Sequence, residues 1–148
     1  MKIFKFLPVL GLALLIAGCG TNAAQKETIM LYKSATCGCC KGWKNHMASK
    51  GYDVNAVNMG NTDLSAIKRK YGIFRSLRSC HTAIVGDYFI EGHIPSKVVD
   101  SLLIEKPPID GIAMAGMPSG TPGMPGPKNE TWKIYSFKNG TISMYEKL

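Results

Sequence analysis

The sequence predicts a single α/β domain that ends in a β-hairpin. Short apolar runs typical of strands alternate with segments whose apolar residues recur every three or four positions, as in helices packed on a sheet. The chain has 148 residues, and an N-terminal targeting segment shortens the part that folds. What remains is long enough for one hydrophobic core and too short for two. No internal repeat is visible in this order of elements.

The predicted domain begins with a strand, a cysteine-rich turn and a helix. Residues 29–32 form a short apolar run, and residues 35–40 then read Ala-Thr-Cys-Gly-Cys-Cys. Thr36 is a suitable N-cap for the helix that follows, and Lys50-Gly51 supplies its C-terminal stop. One face of this helix is apolar at three- and four-residue spacing and is assigned to the core: Cys40, Trp43 and Met47.

Five further elements follow in the middle of the chain. We predict a strand over residues 52–57, a helix capped by Thr62-Asp63, strands over 82–85 and 88–90, and a helix that ends before Pro107-Pro108. Gly72 terminates the first of these helices, and Pro95 opens the second. The two strands flank Gly86-Asp87, which is a turn sequence.

The amino-acid composition changes in the last third of the chain. Residues 111–127 are rich in Gly, Pro and Met, which predicts an ordered loop lying over the domain and no regular element. Residues 132–137 and 141–145 then flank Lys138-Asn139-Gly140, and Asn-Gly between two alternating runs is a strong hairpin signal. The order of elements as a whole indicates a thioredoxin-like α/β fold with a C-terminal Gly/Pro/Met-rich loop and hairpin.

The first 18 residues are interpreted as a secretory signal. Lys2 and Lys5 precede an uncharged apolar run that is shorter than the roughly 20 residues of a membrane-spanning helix. Residues 15–19 read Leu-Ile-Ala-Gly-Cys and resemble the bacterial lipobox. We therefore expect cleavage before Cys19, lipidation of Cys19, a flexible tether over 19–27 and a folded domain over 28–148. The alternative is an ordinary signal peptide with an incidental cysteine.

This interpretation predicts a periplasmic protein anchored to a membrane through Cys19. An aspartate after the lipid site typically retains such proteins at the inner membrane, and Gly20 in that place favours the outer membrane. Of 18 basic residues, two lie in the signal, so 16 remain against 10 acidic residues and the mature chain carries +6. The basic residues are spread out except near residues 68–70, which we interpret as a solvated helix face. No nucleic-acid partner is predicted.

Four cysteines form the candidate site. Cys37 and Cys40 have C-x-x-C spacing between a strand and a helix, where the helix dipole and free backbone N–H groups favour the thiolate. One disulfide needs only two sulfurs, so the additional Cys39 indicates metal binding. Cys80 comes just before a strand, and we expect it to approach the same turn. Soft thiolates favour Cu(I), so the sequence predicts reduced thiols that bind copper.

Several alternatives to this cluster stay open. A disulfide between Cys37 and Cys40 meets ordinary disulfide geometry. Cys80 can instead be a buried unpaired residue, or it can pair with Cys39. Four sulfurs also suit zinc, although structural zinc sites commonly use two separated C-x-x-C units, which this chain lacks.

Histidine and methionine residues are the other candidate ligands. His81 and His93 fall near the expected thiol face, where each can complete a metal site or carry protons, while His93 can instead make a helix-entry hydrogen bond. His46 is expected to be a plain surface residue. Met117 and Met124, in the Gly/Pro/Met-rich loop, are either soft ligands or core residues.

Four sequence blocks carry a resemblance to a known family. They are Cys-Gly-Cys-Cys at 37–40 with Trp43, Ser-Cys-His-Thr-Ala at 79–83, Glu-Gly-His-Ile-Pro at 91–95, and Gly-Met-Pro through Gly-Met at 116–124. In this order the chain resembles the CopG-like copper-resistance proteins. The resemblance implies a thioredoxin-like fold, a periplasmic role in copper handling, and Cu(I) ligation by the cysteines of the first block, with redox activity on copper or thiols.

The sequence therefore supports two functions. In the first, thiolates hold one or more Cu(I) ions, as a single site or a multinuclear cluster, and copper-efflux or copper-carrier proteins are the expected partners. In the second, the protein is a membrane-tethered thiol-disulfide oxidoreductase in which Cys37 attacks and Cys40 resolves. No proline precedes Thr82, where thioredoxins place a cis-proline against the redox turn, and this departure weakens the second function.

Overall fold

A mixed sheet of seven strands organises the chain, which the computed structural model describes over residues 26–148. Three α-helices accompany the sheet within this range. The elements in chain order are β1 (Ile29–Lys33), α1 (Gly38–Ser49), β2 (Val54–Asn58), α2 (Asn61–Lys70), β3 (His81–Val85), β4 (Tyr88–Glu91), α3 (Ser96–Glu105), β5 (Gly111–Ala113), β6 (Lys133–Lys138) and β7 (Thr141–Lys147). The predicted α/β single domain with a C-terminal hairpin is confirmed.

The strand order in the sheet is β2-β1-β3-β4-β5-β6-β7. β1 and β2 are parallel and are joined through α1, whereas β3 runs antiparallel to β1 and β4 antiparallel to β3. In the β1–β3 ladder, Lys33 at the end of β1 pairs with His81 at the start of β3. The turn that follows β1 and the residue that precedes β3 therefore meet at one edge of the sheet.

Helix α1 packs its predicted apolar face into the core. Cys40, Trp43 and Met47 are fully buried, as their helical spacing predicts. The Trp43 indole also donates a hydrogen bond to the carbonyl of Ile94, over 2.9 Å, so its polar atom is satisfied inside the core. This bond ties α1 to the segment between β4 and α3.

The hairpin formed by β6 and β7 follows from its turn sequence. Asn139 and Gly140 both have positive φ, at 48° and 78°, which matches the left-handed pair that a two-residue hairpin turn requires. Lys138 pairs with Thr141 across this turn. The hairpin prediction is therefore confirmed, with β7 reaching two residues beyond its expected end.

Two predictions about secondary structure are wrong in detail. Residues 111–127 were expected to contain no regular element, but 111–113 form β5 between β4 and β6. Three residues carry no readable alternation, so only pairing with two neighbouring strands stabilises this strand. Helix α2 begins at Asn61 with Gly60 as N-cap, and neither Thr62 nor Asp63 caps it.

The predicted signal peptide at 1–18, the lipidation site Cys19 and most of the 19–27 tether lie outside the described residues. The last part of the tether contacts the domain, because Lys26 Nζ donates to Asp100 Oδ1 over 2.6 Å. The same ammonium lies 4.5 Å from the centre of the Tyr52 ring. Among residues 26–148 no helix is both long and apolar enough to cross a membrane.

Candidate metal centre

The first turn of α1 carries three of the predicted cysteines. Cys37 is the N-cap of this helix, and its Sγ accepts a hydrogen bond from the backbone N–H of Cys40 over 3.3 Å. The expected cap, Thr36, instead places its hydroxyl 3.3 Å from that of Ser34. The prediction for Thr36 is wrong because the sulfur one residue later reaches the free N–H groups of the helix.

Cys37 and Cys40 are joined by a disulfide, and their Cα atoms lie 5.3 Å apart. This separation is within the usual range for disulfides, and the C-x-x-C spacing on a helical turn produces it. The structure therefore contains the alternative pairing and not the expected set of four reduced thiols. Among the described cysteines, Cys39 and Cys80 are free.

Cys80 lies against the same turn, because β3 begins beside the end of β1. Its Sγ is 3.6 Å from the Sγ of Cys39, which in turn is 3.4 Å from the Sγ of Cys37. The four sulfur atoms, including that of Cys40, all lie within 4.8 Å of one another. The structure thus brings together the four cysteines that the sequence singled out, while their role as ligands stays a prediction.

His93 completes this group from the sheet side. Its Nε2 is 3.0 Å from Cys80 Sγ, and its Nδ1 is 2.8 Å from the carbonyl oxygen of Pro122. A carbonyl only accepts, so Nδ1 carries the proton and Nε2 of the neutral ring presents a lone pair to the sulfur. Burial lowers the pKa of His93, against a smaller opposing effect of the Pro122 carbonyl, and this favours the neutral ring.

The helix-entry hydrogen bond proposed as an alternative for His93 is made by another histidine. His46 Nε2 accepts the backbone N–H of Ser96, the first residue of α3, over 3.3 Å. Burial, followed by the charge of Lys50, lowers the pKa of His46 and keeps it an acceptor. His46 is therefore half-buried and satisfies the end of a neighbouring helix, so its assignment as a plain surface residue is wrong.

His81 lies beneath the thiols and is fully buried. Its Nδ1 is 3.6 Å from Cys80 Sγ, and its ring packs 4.8 Å from the rings of Trp43 and His93. Within the described chain its Nε2 has no hydrogen-bond partner. Burial, reinforced by His93 and Lys68, holds the pKa of His81 well below its usual value, so the ring is neutral.

The Gly/Pro/Met-rich loop closes over the first turn of α1. A Cβ at Gly42 would lie 2.7 Å from the Cα of Gly123, and a Cβ at Gly123 would lie 2.6 Å from the backbone nitrogen of Trp43. Only residues without side chains permit this approach. Met117 in the loop is 50% exposed, and the contacts found among the sulfurs and His93 in residues 26–148 do not involve it.

A buried ion pair supports the segment before Cys80. Lys68 Nζ lies 2.6 Å from Glu91 Oε1, and Lys68 is only 5% exposed while Glu91 is 0% exposed. The same carboxylate oxygen accepts the backbone N–H of Ser79 over 2.6 Å, and its other oxygen accepts the hydroxyl of Thr82 over 2.6 Å. Glu91 therefore holds the chain on both sides of Cys80.

Sequence reasoning missed this ion pair, because residues 68–70 were interpreted as a solvated helix face. That interpretation is wrong for Lys68, which follows the buried Leu64 by one helical turn and so shares its face. Glu91 also ends a strand in which every residue is buried. A charge on each of two buried faces is the signal that identifies such a pair.

The electrostatic environment of Cys80 favours the protonated thiol. Burial, followed by the neighbouring Cys39, raises the pKa of Cys80 to about 12. A metal ion that binds this sulfur must displace a proton, so binding is coupled to proton release. Cys80 lies just before a strand and not at the start of a helix, where thiol pKa values are typically lowered.

The donor set fits a soft metal ion. It offers the four cysteine sulfurs and, around Cys80, the imidazole nitrogens of His81 and His93, while the buried Glu91 carboxylate is already bound to Lys68. Thiolate and imidazole donors suit Cu(I) and zinc, whereas calcium and magnesium require oxygen. The disulfide removes two of the four sulfurs from this set, so the full set is available only after reduction.

Comparisons with known proteins agree with this chemistry. The family model described as "Protein of unknown function, DUF411" matches residues 77–124, which include Cys80 and His93. Two solved structures titled "Copper resistance protein copG", Form 1 and Form 2, are 31% identical to the chain with a TM-score of 0.75. Each match covers 83% of this chain and 98% of the solved one. No curated protein matches.

Proposed function

The chain belongs to the family of the copper resistance protein CopG, and we propose that it binds Cu(I) through the thiols of Cys37, Cys39, Cys40 and Cys80. The observation that carries the proposal is the convergence of these four sulfurs within 4.8 Å of one another. Sulfurs at this spacing can share one metal ion or bridge several. His93 Nε2, 3.0 Å from Cys80 Sγ, adds a nitrogen donor at the same place.

Copper is favoured over zinc by the kind of donors and by their arrangement. Three of the sulfurs come from one helical turn, and such crowded thiolates bridge soft Cu(I) ions readily, whereas structural zinc sites use well-separated pairs. The related solved structures are of a copper resistance protein. We infer that this chain contributes to copper resistance by holding Cu(I), as one ion or as a multinuclear cluster.

The setting of this activity is inferred from the N-terminal sequence. The lipobox-like residues 15–19 support export, lipidation of Cys19 and attachment to a membrane that faces the periplasm, with Gly20 favouring the outer membrane. Copper at that site would be buffered or passed to efflux or carrier proteins. Such efflux or carrier proteins are the partners that we propose.

The strand order supports the thioredoxin-like prediction. Parallel β1 and β2 joined by α1, followed by antiparallel β3 and β4 and then by α3, is the arrangement expected of that fold. The C-x-x-C turn at the start of α1 is also where such proteins carry their redox cysteines. We infer a thioredoxin-like unit over β1 to α3, extended by strands β5 to β7.

A thiol-disulfide oxidoreductase is the second candidate, and the Cys37–Cys40 disulfide favours it. Cys37 is half-buried and Cys40 is fully buried, so Cys37 is the better placed to attack an external disulfide and Cys40 to resolve the mixed disulfide. Cys39 is not needed for this exchange. It separates the two functions, because a thiolate metal site would use it.

An anaerobic Cu(I) titration tests the proposal. The mature chain, carrying Cys19→Ser to keep it free of lipid, is fully reduced and titrated against a competing chelator, and bound copper and reactive thiols are counted. We expect tight uptake that protects all four thiols, and weaker or smaller uptake by Cys39→Ser. Absence of uptake by the reduced chain would refute the copper function and leave the oxidoreductase as the better candidate.

A further inference from the structure

We propose that Cys39, Cys80 and His93 form a three-donor Cu(I) site that stays available while the Cys37–Cys40 disulfide is closed. The redox state of the C-x-x-C turn would then set how much copper the protein holds, and not whether it binds copper. This inference rests on the proposed copper-binding function and goes beyond it, because it assigns a separate ligand set to the disulfide-bonded state.

The positions of the donor atoms carry the inference. Cys39 Sγ and Cys80 Sγ are 3.6 Å apart, and His93 Nε2 is 3.0 Å from Cys80 Sγ, with the disulfide in place. Bonds of about 2.3 Å from metal to sulfur put two sulfurs roughly 4 Å apart across a trigonal ion. The two sulfurs are therefore already within a few tenths of an ångström of the spacing that a shared metal ion requires. His93, which contacts the same Cys80 sulfur, must turn toward Cys39 to become the third donor.

Two of the donors are positioned by contacts that do not involve the disulfide. His93 is oriented by the bond from its Nδ1 to the carbonyl of Pro122, which leaves Nε2 directed at Cys80. Cys80 follows Ser79, whose backbone N–H is bound by the buried carboxylate of Glu91. The disulfide sulfurs take no part in either of these bonds.

Cys39 is brought to the site by the backbone of α1. It lies between the two disulfide-bonded cysteines, and the loop that crosses α1 at Gly123 packs against this turn. Cys39 and Cys80 are both half-buried, so copper delivered by a chelator or a protein can reach their sulfurs. The closed disulfide thus leaves two free thiols that copper can reach, with the buried imidazole of His93 in contact with one of them.

Reduction would enlarge this site. An external dithiol supplies two electrons and two protons, the Cys37–Cys40 bond breaks to give two thiols, and the reductant leaves as its own disulfide. The two new sulfurs lie in the same group of four and can take up more copper. The protein would then move between a low-capacity and a high-capacity state.

The test compares the two redox states of the mature chain carrying Cys19→Ser. The disulfide-closed form is prepared with two reactive thiols per chain and the reduced form with four. Each is titrated anaerobically with the acetonitrile complex of Cu(I) against bicinchoninate, without added reductant. We expect one Cu(I) per closed chain, with both thiols protected, and more than one per reduced chain.

Three variants define the ligands. Cys37→Ser/Cys40→Ser lacks the disulfide and its sulfurs, and is expected to bind one Cu(I) as the closed chain does. In the closed state, Cys39→Ser is expected to lose tight binding, and His93→Gln to weaken it at least tenfold. The principal measurement is the Cu(I) titration of the disulfide-closed wild-type chain. The proposal can therefore still be tested if a variant fails to fold.

The outcomes separate this inference from the function on which it rests. Copper uptake by the reduced chain with none by the closed chain would overturn the inference and leave the copper function standing. Uptake by neither form would refute both. Undiminished binding by closed His93→Gln would show that His93 is not a donor and would overturn the three-donor site. Recovery of two thiols after copper removal verifies that the disulfide stayed closed.

Discussion

The two walls of the candidate site are built in different ways. On the helix wall, Cys37, Cys39 and Cys40 share one turn of α1, and two of their sulfurs are joined in a bond that reduction can open. On the sheet wall, Glu91 holds the neighbours of Cys80, Ser79 and Thr82, and Pro122 holds His93 through bonds in which the disulfide sulfurs take no part. The helix wall is local in sequence, whereas the sheet wall depends on residues far apart in the chain.

The sheet wall is costly in electrostatic terms. Removing the charges of Lys68 and Glu91 from water costs several kcal/mol per ion, which their attraction offsets only when both partners are present. The ion pair is therefore weak evidence for stability and better evidence for positioning, since Glu91 binds the chain on both sides of Cys80.

The largest effect is expected from breaking the buried ion pair. Lys68→Met leaves the Glu91 carboxylate buried without its partner, which costs about 3–5 kcal/mol of unfolding free energy. Urea denaturation of the metal-free chain measures this loss. The exposed Lys70 on the same helix is the matched control, and Lys70→Met should change stability by less than about 0.5 kcal/mol. Equal effects of the two substitutions would contradict the assignment.

Removing the Cys37–Cys40 disulfide from the helix wall should lower the unfolding free energy by a smaller amount. The disulfide closes a loop between residues only three apart in sequence, and chain entropy for so short a loop gives roughly 2 kcal/mol of stabilisation. Cys37→Ser is expected to lower the unfolding free energy by about this amount, measured by urea denaturation without reductant. Adding a reductant should destabilise the wild-type chain similarly and leave the variant unchanged. A further loss in the variant would point to a different disulfide.

The free energy of unfolding should also decrease as the pH is lowered, because the folded chain keeps His81 unprotonated. Its pKa is held well below 6.5 in the folded chain, by burial first and then by His93, Lys68 and Lys33. Below about pH 6.5 the unfolded chain therefore binds a proton that the folded chain does not, and stability falls by up to about 1.4 kcal/mol per pH unit. Urea denaturation of the metal-free chain at pH 7.5, 6.5 and 5.5 measures this slope.

His81→Phe provides the comparison for this pH dependence. His46 and His93 also have lowered pKa values and add to the wild-type slope, so only the difference between the two chains reports on His81. We expect a shallower slope in the variant below pH 6.5 and parallel curves above it. Identical slopes in the two chains would mean that His81 takes up its proton in the folded state.

The smallest effect concerns His46, which joins α1 to α3. His46→Ala removes the acceptor for the backbone N–H of Ser96, and the loss of such a cap costs about 1 kcal/mol. Asn45→Ala, at the exposed neighbouring position, is the control and should be nearly neutral. The same denaturation assay compares them, and a cost for Asn45→Ala equal to that of His46→Ala would rule out the capping role.

Local patterns in the sequence were enough to predict much of the fold. The spacing of Cys40, Trp43 and Met47 predicted the buried face of α1, and Asn139-Gly140 predicted the hairpin turn with its positive φ angles. These features depend on helical periodicity and on which residues tolerate a left-handed backbone, which are properties of a few neighbouring residues. They are therefore readable without the rest of the chain.

The candidate site was predictable in its members but not in its arrangement. The motif spacing singled out Cys37, Cys39 and Cys40, and the expected positions in the fold added Cys80, His81 and His93. The tertiary structure brought Cys80 to the α1 turn through the β1–β3 register. Sequence reasoning left the disulfide open as an alternative, because C-x-x-C spacing suits both an oxidised pair and a pair of metal ligands. The redox state determines whether each sulfur bonds to another sulfur or to a metal ion. The C-x-x-C spacing in the sequence is the same in the oxidised and the reduced state.

Contacts between distant segments were not predictable from the sequence. Local patterns predicted the helices, the hairpin and a set of soft donors. They did not determine that Lys68 turns inward to Glu91, that His46 caps α3, or that residues 111–113 form a strand. Each of these depends on what lies opposite in space, because burial and pairing, and not residue type, determine whether a charge is solvated or a short segment is extended.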